Sequence, residues 1–201
     1  MKVLSNAVTY NYSWEEVSAA NWRKYSPWNE KCSHVVAVDT LSRSVDPQTG
    51  ILRSERLITC RQNAPEWLKT VLGGGAGESQ VLETSYVDPA RRTVTMVSTN
   101  LTWANLVRVS ETVVYRPLDE GRTQFLQDAQ ITAMCGGWQR IRNSIEDSLL
   151  ARFRDNAAKG REGFETVLAM SRRVFAEERE KERERTTVGV ELGDGKVALA
   201  P

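Results

Sequence analysis

Histidine is all but missing from this chain of 201 residues, in which His34 is the single example. One histidine cannot complete a zinc site, and Cys32, Cys60 and Cys135 offer neither a CxxC spacing nor an even count for a disulfide framework. No metal and no cofactor is therefore expected. G-x-S-x-G, P-loop and H-E-x-x-H patterns are missing too, so the chain is not expected to be an enzyme. Charge of one sign is also lacking: 27 Lys and Arg against 26 Asp and Glu leave a formal +1, which gives no field for nucleic acid. No apolar run approaches the roughly 18 residues of a membrane-spanning helix. The opening "MKVLSNAVTYNYSWEEVS" has no continuous apolar core and carries Glu15 and Glu16. It reads neither as a signal peptide nor as an Arg-rich presequence.

What is present is alternation. "AVTYNYSW" (7–14) puts Val8, Tyr10 and Tyr12 on one face, and "HVVAVDTLSR" (34–43) begins β-branched. "ILRSERLITC" (51–60) follows the turn "DPQTG"; "SQVLETSYVD" and "TVTMVSTNL" flank "PARR"; "LVRVSETVVYRP" and "TQFLQDAQITAM" flank "LDEGR". Turn residues between alternating runs predict about seven strands in an antiparallel meander. Ser13 with Glu16 forms a capping box for a short helix over 14–24. From Trp138 the period changes: Ile141, Ile145, Leu149, Phe153 and Ala157, then Phe164, Val167, Leu168, Val174 and Phe175, recur every three or four residues. The spacing predicts a helix of more than thirty residues, with a bend near Gly160 or Gly163. "EEREKERERTT" carries no apolar stripe, so residues 177–201 read as a charged helix extension and flexible tail behind a domain over 1–176. The fold class is α+β, a curved antiparallel sheet gripping a long C-terminal helix. That START-like or Bet v1-like arrangement can leave a cavity between its two layers.

Charge borders the helix stripe. Arg152, Asn156 and Lys159 lie at i, i+4 and i+7, one residue from the Phe153–Ala157 row. Cations beside an apolar cavity suit a phosphate whose acyl chains lie deeper. Read alone, the row fits better with long stems covering apolar surface while their heads stay wet. In "APEWLKTVLGGGAGES" the apolar Trp67, Leu68, Val71 and Leu72 run into Gly73, Gly74 and Gly75. One glycine stops a helix, so this run reads as a hinge rather than a cap. Trp28 and Trp67 sit in polar or glycine-rich contexts, where an exposed indole suits a membrane interface.

"MKVLSNAVTYNYSWEEVSAANWRKY", "HVVAVDTLSR", "GILRSERLIT", "PEWLKTVLGG", "NLTWANLVRVSETVVY", "AQITA" and "RFRDNAAKGREGFETVL" follow one another nearly continuously from residue 1 to about 170. This series resembles the PRELI/MSF1 family of mitochondrial intermembrane-space lipid-transfer proteins, and within it the slowmo/Ups branch. The resemblance implies a lipid-sized cavity closed by a short lid, here Trp67, Leu68, Val71, Leu72 and Gly73 to Gly75. It implies a small twin-CX9C partner of the TRIAP/Mdm type. It also implies shuttling of an anionic glycerophospholipid between the outer and inner membranes. The slowmo branch points to phosphatidylserine; the alternative is phosphatidic acid supplied for cardiolipin synthesis, and a rival of another class is a ligand-free protein-interaction module. The family's headgroup contacts fall on Lys24, His34, Arg152, Asn156 and Lys159. A further lysine of the phosphatidic-acid branch falls on Cys60, with Arg61 adjacent and counted with the headgroup residues. The family's "KYPNP" is here "KYSPWNEKCSH", two residues longer, and its helix tryptophan is Ser148.

Overall fold

The computed structural model describes residues 1–61, 77–134 and 139–194. Its elements in chain order are β1 (Lys2–Tyr10), α1 (Trp14–Asn21), a 3-10 turn (Glu30–Cys32), β2 (Val35–Val45), β3 (Leu52–Cys60) and β4 (Ser79–Asp88). They continue with β5 (Thr93–Asn100), β6 (Val107–Pro117), β7 (Thr123–Ala133) and α2 (Gln139–Asp194). The strands form one antiparallel sheet in the order β1-β7-β6-β5-β4-β3-β2. Six of them are the expected meander. β1 departs from it and pairs with β7 at the far edge, because residues 11–34, which hold α1 and the 3-10 turn, carry the chain across the sheet before β2 begins.

Each tight hairpin has an aspartate at its start that accepts backbone N–H groups. Asp46 takes Gln48 and Thr49, Asp88 takes Arg91, and Asp119 takes Gly121. Gly50 completes the first turn at φ 71°, where a side chain would be strained. Alternation then fixes the buried face. In β7, Thr123, Phe125, Gln127, Ala129, Ile131 and Ala133 are all buried, and α2 lies against that face.

α2 is one unbroken helix through Gly160 and Gly163. It is held at both ends of its packed stretch. Near its start, the buried Glu146 accepts the backbone N–H of Ala133 at 3.0 Å. Further along, Phe164 packs on Tyr10 and Tyr115, with centroids 5.5 and 5.8 Å away, and Tyr115 in turn packs on Phe125 at 5.3 Å. Glu16 serves twice: it closes the capping box on Ser13 at 2.9 Å and accepts Arg172 Nε at 2.7 Å, so α1 is latched to α2. The side chains of 172–183 are exposed. From 177 on, the charged extension with no apolar stripe requires this. Val174 and Phe175, expected to continue the buried stripe, are exposed as well, because the packed stretch of the helix ends at Ser171. Helix continues to Asp194, which places residues 187–194, expected as loose terminus, in regular structure.

Candidate functional site

Between the sheet and α2 lies a cavity of about 360 Å³. Its apolar walls include Ile58, Val81, Val113, Phe125, Phe153 and Ala157, and polar groups interrupt them at a few points. That composition is typical of small-molecule sites.

Lys24, His34 and Asn156 line this cavity. Lys24 follows α1, and its main-chain carbonyl accepts Asn29 Nδ2 at 2.6 Å. The 26–33 loop thus folds back on Lys24. Lys31 from the same loop pairs with Glu162 of α2 at 2.6 Å. The Lys24 ammonium does not face the cavity alone. It stands 3.5 Å from the carboxylate of Glu83, which also accepts Nε and Nη2 of Arg56. Arg56 and Glu83 are register partners on β3 and β4, both almost fully buried. Burial pushes the Glu83 carboxyl up, but Lys24 and Arg56 outweigh it and hold the group below the usual carboxylate range. Arg56 further stacks on Trp22 at 5.1 Å.

His34 sits ahead of β2, and burial together with the Lys159 charge lowers its pKa. It is neutral at pH 7 and offers a hydrogen bond rather than a charge. Its carbonyl accepts the backbone N–H of Arg61 at 2.7 Å. The Arg61 side chain points away, exposed, and pairs with Glu78 at 3.0 Å. Cys60, where the resemblance places a lysine, lines the cavity as a buried thiol, as does Cys32. Burial raises the pKa of both. Of the helix row, Asn156 reaches the cavity, Lys159 is exposed and Arg152 is half-buried. The lid residues Trp67, Leu68, Val71, Leu72 and Gly73 to Gly75 lie outside the described residues. Trp28 is 45% exposed.

Among the polar wall residues that the sequence did not mark as headgroup contacts are Glu83, Glu111, Gln127 and Arg161. Arg161 stands four residues after Ala157 and three before Phe164, on the cavity stripe itself. Its Nη1 is buried with no hydrogen-bond partner among the described residues, and among them it forms no salt bridge. A stripe extended one turn would have found it. Glu83 shares its strand face with Val81, and Glu111 shares its own with Val109 and Val113. A carboxylate in the apolar parity of a strand is a legible signal.

Comparison with known proteins matches residues 15–174 to the PRELI-like family. "Protein UPS2, mitochondrial" from Saccharomyces cerevisiae is 45% identical over 184 residues, covering 90% of this chain and 76% of that protein. "Protein slowmo homolog" from Dictyostelium discoideum is 36% identical over 162 residues, covering 80% of this chain and 68% of that protein. Among solved structures, the Zhui aromatase/cyclase from Streptomyces sp. R1128 superposes with a TM-score of 0.56 at 15% identity, over 86% of this chain and 94% of that one. That likeness concerns the fold alone: a START-like sheet closed by its C-terminal helix.

Proposed function

The chain belongs to the PRELI-like family, and we propose that it carries an anionic glycerophospholipid, phosphatidylserine by preference, between the outer and inner mitochondrial membranes. The observation that carries this reading is an apolar cavity with a guanidinium on its helix wall whose buried Nη1 has no hydrogen-bond partner among the described residues. Acyl chains would lie along Ile58, Val81, Val113 and Phe153, and the phosphate against Arg161, with Asn156 and His34 as neutral hydrogen-bond partners. A phosphate left unpaired beside apolar walls would be prohibitively costly, so the cation must stand inside the cavity.

The exposed Lys159, the basic residue Arg152 and the Trp28 indole suit weak docking on an anionic bilayer. A formal net charge of +1 keeps that attraction modest, which a carrier needs in order to leave. The segment around Trp67 would act as lid and its glycines as hinge. No covalent bond is made or broken, so this is a carrier and not an enzyme. A small twin-CX9C protein would bind and stabilise it in the intermembrane space.

Transfer between donor and acceptor liposomes, with a panel of headgroups and the co-expressed partner, tests the reading. Phosphatidylserine should move fastest. Dominant phosphatidic-acid transfer would instead assign the supply route to cardiolipin. No transfer, with no lipid extractable from the purified protein, would sink the carrier altogether.

A further inference from the structure

Glu111 is a charged cavity group to which charge neutralisation of a phosphate assigns no role. It projects from β6 between Val109 and Val113, which line the cavity with it. Its carboxylate accepts Ser98 Oγ at 3.1 Å from its register partner on β5, and Gln127 Nε2 from β7. Gln127 is oriented for this because its own Oε1 accepts Asn6 Nδ2 at 3.1 Å. Both donors to Glu111 are neutral. Glu83, on the same wall, has Lys24 and Arg56, whereas Glu111 joins no salt bridge among the described residues.

A half-buried carboxylate with only neutral donors has no charge partner in the empty protein. Its remaining lone pairs suit a donor that arrives with its own positive charge, and an ammonium brings three N–H groups and one charge. The balance of the walls agrees. Lys24, Arg56 and Arg161 stand against Glu83 and Glu111, and His34 is neutral, so these groups sum to only +1. A phosphate monoester, whose charge at neutral pH approaches −2, would find that wall undercompensated. A phosphodiester that brings its own ammonium would not.

We infer that Glu111 binds a primary ammonium on the cargo's headgroup while Arg161, across the cavity on α2, takes the phosphate. The inference rests on the carrier reading and narrows its cargo to amine-bearing phospholipids. It makes Glu111 the residue that distinguishes phosphatidylserine from phosphatidic acid.

The test uses the full chain with its partner and donor vesicles containing phosphatidylserine, N-acetyl-phosphatidylserine or phosphatidic acid. N-acetylation removes the ammonium and keeps the phosphate and carboxylate, so the first comparison needs no variant. Wild type should move phosphatidylserine roughly tenfold faster than its N-acetyl form, the scale of one lost charge-assisted hydrogen bond. Glu111→Gln, which keeps the shape and can still accept from Ser98, should bring phosphatidylserine down to the N-acetyl rate and leave phosphatidic acid within about twofold. Equal wild-type rates for the first two lipids would overturn the ammonium role while leaving the carrier standing. So would a Glu111→Gln protein that slows all three alike. If wild type moves none of the three and native mass spectrometry finds none bound, the carrier reading itself fails and takes this inference with it.

Discussion

The Lys24 ammonium stands 3.5 Å from Glu83 Oε2, while Glu83 Oε1 takes both Nε and Nη2 of Arg56. One buried carboxylate thereby holds two cations at the cavity wall, and the three groups carry a net +1. Removing the shared anion leaves two buried cations facing each other. Glu83→Gln should therefore destabilise the fold by about 3–5 kcal/mol. Lys24→Met, which leaves the Arg56 pair neutral, should cost clearly less. Urea denaturation of both variants checks this; equal losses would show that Arg56 alone cannot compensate the carboxylate.

Arg161 has the opposite profile. Its buried Nη1 makes no hydrogen bond among the described residues, so replacing the side chain removes little from the empty protein. Arg161→Gln should lower phospholipid transfer roughly 10- to 100-fold, the loss of a charge-assisted hydrogen bond to phosphate, with the melting temperature essentially unchanged. A lower melting temperature with transfer intact would make Arg161 a structural residue.

Two glycines of α2 should respond in opposite directions to alanine. At Gly163 an added Cβ would meet Asn29 Oδ1 and Lys31 Cβ, each at 2.8 Å. The helix there packs directly on the loop that holds Lys24. Gly163→Ala should destabilise by about 1–3 kcal/mol through overpacking, in spite of the better helix propensity. At Gly160 nothing lies within 4 Å of such a Cβ, so Gly160→Ala should stabilise by up to about 1 kcal/mol. Thermal melts of the pair decide it, and a loss at both positions would contradict the packing described.

His34 makes stability depend on pH. Burial and the Lys159 charge depress its folded pKa, so the unfolded chain binds the proton more readily. Stability from this residue is full above the unfolded value of about 6.5 and falls as pH drops toward the folded pKa. His34→Gln should flatten that limb of the stability curve below about pH 6.5. An unchanged slope would place the acid sensitivity in the carboxylates.

The strand count, the hairpin turns, the capping box and the long helix were all legible in the sequence, because each depends on neighbours within a few residues. Alternation in "TQFLQDAQITA" sets the buried face of β7, and Ser13 with Glu16 starts α1 whatever lies elsewhere. The headgroup residues were less legible. Lys24, His34 and Asn156 do line the cavity, while Arg61 turns outward to Glu78. A side chain's spacing along its element does not say which partner it meets.

The sequence by itself determined which faces are apolar and therefore that a sheet must close on a helix. Only the tertiary structure decided where charge stands inside that closure: β1 pairs with β7, Glu83 engages Lys24, and Arg161 and Glu111 keep charges without ionic partners among the described residues. The first follows from local periodicity and burial. The second depends on groups brought together from far along the chain, 27 residues apart for Arg56 and Glu83 and 59 for Lys24 and Glu83. Coulomb and hydrogen-bond energies act through space, and a one-dimensional pattern does not record those distances.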